Sequence, residues 1–149
     1  MSYGRFFEDF TPGEIIRHDL TKTILESDNN LFCLLTMNHH PVHSDIEYAK
    51  SHQHGKILVV GTLVFSLAVG ITVGDISGHA VANLEYTNIK HIAPVFLNDT
   101  IHATTEILDV RESKTKSDRG IVHVLSRVYN QHGQEVLSFE RKVLVYKKG

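Results

Sequence analysis

The sequence predicts an α+β domain in which a curved antiparallel sheet wraps around one apolar helix. Three observations predict it. Residues 62–74, TLVFSLAVGITVG, are apolar on nearly every side, and a helix without a polar face is a buried one. Four later segments, at 80–92, 100–113, 120–131 and 135–149, are rich in Val, Ile, Thr, Tyr and Phe and alternate in part between apolar and polar residues, as half-buried strands do. The breaks between them hold turn residues: Pro94 with Asn98-Asp99, then Lys114–Gly120, then Asn130–Gly133. A sheet with one apolar face needs a second layer to cover it, and the apolar helix is the natural filling.

Taken in order, residues 1–20 read as an extended entry segment, with a turn at Pro12-Gly13 and a short strand in EIIRHDL. Thr23 and Glu26 have capping-box spacing. They open a helix to about Thr36, with Leu25, Leu31, Phe32, Leu34 and Leu35 roughly on one side. Pro41 makes MNHHPVH a turn or loop. Ser44 and Glu47 form a second capping box, for a short helix through about Ser51. Residues 52–55 are a loop, and the apolar ILVV at 57–60 leads into Gly61. The β-branched residues of 62–74 leave a buried strand as the competing reading, and length favours the helix. The four strands with short turns are expected to form an antiparallel meander. A sheet curved around a central helix is the hotdog arrangement, here a single domain over 1–149. Such a protomer leaves a sheet edge open, which pairing in a homodimer or higher homo-oligomer relieves.

The bulk properties exclude several function classes. Of 149 residues, 42% are hydrophobic and 21% charged, ordinary for a globular domain. A net charge of −2 and a pI near 6.6 give no reason to expect nucleic acid or an anionic membrane as partner. Cys33 is the only cysteine, so neither an internal disulfide nor a thiolate zinc site can form within the chain. Within LFCLL it reads as a small buried hydrophobe. MSYGRFFEDF lacks the basic and apolar regions of a secretory signal. The apolar run at 57–73 is broken by Gly61, Ser66 and Gly70 and is short for a membrane span. A cytoplasmic location is expected.

The chemistry concentrates in MNHHPVHSD, residues 37–45. His39 and His43 are four apart, but Pro41 between them removes an amide and spoils the shared helix face a metal pair would need; no metal is expected. A neutral imidazole on a loop between two helices suits proton transfer near neutral pH. His43, directly before the second helix, is the better candidate, and Asn38 can orient water or substrate without acting as a base. Asp45 suits the first turn of that helix as a capping carboxylate. His39 and His40 read as incidental exposed loop residues.

Pro41-Val42-His43, followed by Ala49, resembles the tail of the signature G-D-x-N-P-[LIV]-H of the MaoC-like (R)-specific enoyl-CoA hydratase/dehydratase family. The family's catalytic Asp falls on Asn38, its Gly on Met37 and its Asn on His40. The similarity is nearest to the mesaconyl-CoA hydratase, or β-methylmalyl-CoA dehydratase, branch. It extends through GRFFEDFTPGE, ESDNNLFCLLTMN, AVANLEY, PVFLNDT, DVRESK, GIV and NQHGQEV. The family's second element, H-G before the central helix, falls on Val60-Gly61, so the His is replaced and the Gly kept.

This resemblance implies a hydro-lyase that adds water reversibly across the 2,3 double bond of an enoyl-CoA-type thioester. His43 would transfer the proton, Asn38 would place the water or hydroxyl, and the Gly61 amide would hold the oxyanion. Val60, Thr62 and Ser66 are expected around the thioester. Coenzyme A enters as part of the substrate, and no other cofactor is expected. With Asn at position 38, either His43 moves both protons or a carboxylate (Glu26, Asp28 or Asp45) comes near. Two other functions stay open: a hotdog acyl-CoA thioesterase, whose usual carboxylate the 58–62 stretch does not offer, and a non-catalytic acyl-CoA-binding protein.

Overall fold

The computed structural model describes residues 3–149. Two short strands, β1 (Ile15–Arg17) and β2 (Lys22–Thr23), precede helix α1 (Glu26–Thr36). A 3-10 turn at Pro41–His43, helix α2 (Ile46–Lys50) and helix α3 (Gly61–Thr72) follow. Four long strands complete the domain: β3 (Ala80–His91), β4 (Thr100–Glu112), β5 (Arg119–Tyr129) and β6 (Glu135–Tyr146). The sheet is antiparallel, in the order β1-β4-β5-β6-β3, with β2 also on β4. The central helix covers it, which is the hotdog arrangement.

The inward row of the sheet meets α3 as the alternation requires. Leu63, Val64, Ala68 and Ile71 of the helix join Ile101, Ala103, Val128, Leu137 and Phe139 of the strands in one core cluster. The other half of the sheet is covered by the entry segment and the turn after α3: Phe7, Phe10, Ile16 and Ile76 pack with Ile107, Val122, Val124 and Val143. Cys33 is buried, as expected, and burial pushes its thiol pKa up. Among the described residues no helix is long and apolar enough to cross a membrane.

Four expectations need correction. Only β4, β5 and β6 form a meander; β3 pairs with β6 at the far edge. Alternation marks a strand locally but says nothing about its neighbour. Residues 92–99 make the crossing, held by the Val59 amide on the Val95 carbonyl at 2.9 Å and by the Leu58–Phe96 bridge. The leucine side of α1 faces outward, with Leu31, Leu34 and Leu35 exposed, while Asn29 and Cys33 turn inward.

The caps also shift. The Leu25 amide donates to the Asp28 carboxylate at 2.8 Å, whereas Thr23 is taken into β2 with its hydroxyl on Thr100. At α2 the cap is Asp45, accepting from the Tyr48 amide at 3.0 Å. Ser44 is used up by the 3-10 turn, its amide bonded to the Pro41 carbonyl. Finally, α3 does not run to Gly74 as one helix; a π-turn at Val73–Ser77 follows it.

Candidate active site

The end of α1 places Asn38. Met37 adopts a left-handed φ of 59°, and the amides of Met37 and Asn38 both reach the Cys33 carbonyl. Left-handed caps favour glycine, which is what the signature carries at that position. Asn38 is half-buried, and its side-chain oxygen accepts from the His40 amide at 3.4 Å. Pro41 then starts the 3-10 turn, where its fixed φ and missing N–H fit. His40 is exposed but not incidental, because its Nδ1 accepts from the Val42 amide at 3.2 Å and caps the turn.

His43 is fixed in one tautomer. Its Nδ1 lies 2.7 Å from the Leu58 carbonyl oxygen. A carbonyl can only accept, so Nδ1 carries the hydrogen and Nε2 keeps its lone pair for a proton. The backbone of His43 is held as well. Asn29, 1% exposed, donates from Nδ2 to the His43 carbonyl and accepts at Oδ1 from the Val60 amide, each at 3.0 Å. One amide side chain of α1 thereby ties the His43 turn to the entrance of α3. Sequence reasoning missed Asn29. The only signal was a polar residue four positions before Cys33, on the face that proves to be buried.

Gly61 and Thr62 open α3, so their amides have no acceptor within the helix and stand at the positive end of its dipole. Val60 is a different case: its amide is bound by Asn29 and its side chain lies in the core, which removes it as an oxyanion donor. Ser66 is exposed, in line with Thr62 and Gly70 on the outer side of the helix, and lines neither cavity described below. Gly61 supports the His91 ring; a Cβ there would stand 2.8 Å from His91 Cε1.

Two cavities meet Gly61 and His43, one at each, while Asn38 and Thr62 line neither. One of about 280 Å³ is lined by His54, Leu58, Gly61, His91, Val95 and Val136 among others. A smaller one of about 90 Å³ is lined by Glu26, Asn29, His43, Ser44 and Ile57 among others. Leu58 links them, lining the first and accepting from His43. Of the three carboxylates considered near His43, Asp28 is tied to Lys22 at 2.9 Å and to the Leu25 amide, which hold its pKa low. Asp45 is committed to α2. Glu26 shares the smaller cavity with His43.

The family model of the MaoC-like domain matches residues 8–130. The chain belongs to the MaoC-like domain family. This MaoC-like domain is 37% identical to a mesaconyl-CoA hydratase of Cereibacter sphaeroides, over 97% of the chain and 42% of the relative. It is 35% identical to a β-methylmalyl-CoA dehydratase of Chloroflexus aurantiacus, over 97% of the chain and 41% of the relative. A solved MaoC-domain dehydratase structure from Chloroflexus aurantiacus superposes with a TM-score of 0.95 at 34% identity, covering 100% of this chain and 42% of the other. The MaoC-like domain thus spans about two-fifths of the length of these relatives.

Proposed function

We propose that this MaoC-like domain is an enoyl-CoA hydratase/dehydratase, acting in the cytoplasm as a homodimer. The observation that carries the reading is the locked His43, with Nε2 unencumbered and its turn tied through Leu58 and Asn29 to the N-terminus of α3. The thioester oxygen lies at the amides of Gly61 and Thr62. Nε2 of His43 takes a proton from water placed by Asn38, and the hydroxyl adds to C3. The electron pair moves onto the thioester oxygen, where the helix terminus stabilises it before any solvent reorganises. The imidazolium then returns a proton to C2, so His43 serves both transfers and Asn38 need not ionise. The thioester itself acidifies C2, so the chemistry needs no metal or redox group.

The dimer reading rests on two unpartnered features. Edge strand β3 exposes Leu84 and Ile89, and α3 exposes the small-residue row Thr62, Ser66 and Gly70. Antiparallel pairing of β3 with its two-fold mate continues the sheet and satisfies the open edge. The relatives' substrates suggest mesaconyl-CoA. Incubation with crotonyl-, mesaconyl- and longer enoyl-CoAs tests the reading. Loss of the conjugated enoyl-thioester absorbance without thiol release is expected. Release of free coenzyme A from a saturated acyl-CoA, or thermal stabilisation without turnover, would replace it with a thioesterase or a binding protein.

A further inference from the structure

Arg141, in β6, is the largest fully buried side chain of the domain, at 1% exposure. Its Nη2 donates to Thr72 Oγ1 at 3.1 Å. Among the described residues, Nε and Nη1 have no hydrogen-bond partner. A guanidinium stays charged inside proteins, and a buried charge without a counter-charge is costly. Burial pushes its pKa down and only the Tyr86 hydroxyl beside it pushes back. Packing does not call for it either, since a methionine fills similar space without the charge. A carboxylate oxygen on Nη1 would supply the missing counter-charge together with one of the missing hydrogen bonds.

The position of Arg141 says where such a carboxylate comes from. Arg141 lies opposite Tyr86 of β3 and beneath Thr72, at the C-terminal end of α3. Tyr86 is 37% exposed and packs edge-on against Phe65 of α3, so the cover over Arg141 belongs to the unpartnered edge. Twelve residues of α3 put Thr72 about 17 Å from Gly61. A small acyl group cannot span that distance within one protomer. Two-fold pairing through β3 runs the two α3 helices antiparallel, which sets the Thr72 end of one beside the Gly61 end of the other.

We propose that Arg141 seats the free carboxylate of a dicarboxylic acyl monothioester whose thioester is held at the partner subunit's Gly61. This rests on the hydratase and dimer readings above. A 2-enoyl diacid bound to coenzyme A at one end, such as mesaconyl-CoA, presents that carboxylate at the far end of a short, rigid acyl chain. Arg141 is then the residue that separates diacid thioesters from plain enoyl thioesters, and each site draws on both protomers.

The test compares kcat/KM for mesaconyl-CoA with that for the same enoyl thioester carrying a methyl in place of the carboxylate. The wild-type dimer is expected to favour the diacid by on the order of 100-fold. In Arg141→Met that ratio collapses while the melting temperature does not fall. A purified mixed dimer, His43→Ala in one protomer and Arg141→Met in the other, keeps one intact shared site and is expected to show about half the wild-type activity. Equal wild-type kcat/KM for both thioesters overturns the carboxylate seat and leaves the hydratase standing. A silent mixed dimer overturns the sharing of the site. Equal losses on both substrates in Arg141→Met make Arg141 a structural residue. No turnover of either thioester by the wild type overturns the hydratase reading and the seat with it.

Discussion

Asn29 shows how one side chain can set the geometry of residues far from it in sequence. Its two hydrogen bonds hold the His43 carbonyl and the Val60 amide to the same amide plane. Asn29→Ala leaves a buried amide and a carbonyl unpaired, which costs about 2 kcal/mol or more. Thermal melting is expected to drop by roughly 4–8 °C, and kcat is expected to fall more than KM rises, because the proton-transfer group loses its alignment. Asn29→Asp keeps the acceptor for Val60 but not the donor for His43, so it restores stability in part and kcat hardly at all. If Asn29→Ala melts lower with kcat untouched, Asn29 is a structural residue only. The site was half legible at this scale. His43 and Asn38 stand in a local pattern with Pro41, whereas Asn29 and Arg141 act through partners 14 to 69 positions away.

Between elements, a polar chain, buried except at Asp75, joins the end of β1, the π-turn after α3, β4 and β5. His18 Nδ1 lies 2.7 Å from Asp75 Oδ2, and Nε2 lies 2.7 Å from Thr105 Oγ1, which contacts Ser126 Oγ at 2.8 Å. Burial lowers the His18 pKa, Asp75 raises it, and Arg141 and Arg5 add to the lowering; burial prevails. The unfolded chain therefore takes up a proton near pH 6.5 that the folded one refuses until lower pH. Stability from this group is complete above about pH 6.5 and is lost as pH falls toward the folded-state value.

Asp9, Asp28 and Glu140 are also held low, by Lys148, Lys22 and Asn88 respectively, but they act below about pH 4.3. Denaturant midpoints should decline as pH falls below about 6.5, and His18→Gln should flatten that slope. Equal slopes in the two proteins would assign the decline elsewhere. The long strands that carry this chain, β4 and β5, were readable because each alternates over most of its length. Their order was not, because the choice between β4 and β6 as the neighbour of β3 is made by residues 92–99 and by α3, not by β3 itself.

For the whole molecule, the exposed apolar side chains of β3 and the small-residue row of α3 are features that a protomer alone leaves open. Light scattering on the eluted protein is expected to give the mass of two chains. Leu84→Lys with Ile89→Glu on the β3 edge is expected to shift it to one, with the activity lost at the same time because each site needs both protomers. A wild-type protein that elutes as a folded monomer would contradict the assembly. The α+β architecture was legible because an all-apolar helix and four alternating strands admit few other packings. The leucines of α1 misled because an apolar side chain does not announce whether its own domain or something outside it provides the cover.

The central claim is that His43 moves the protons at a thioester held by the start of α3. It is tested most directly by kcat/KM for mesaconyl-CoA hydration in wild type, His43→Ala and Asn38→Ala, each with its melting temperature. His43→Ala should lose about 10²–10⁴-fold, and Asn38→Ala should lose less, with the fold intact in both. Unchanged turnover in both variants would contradict the account.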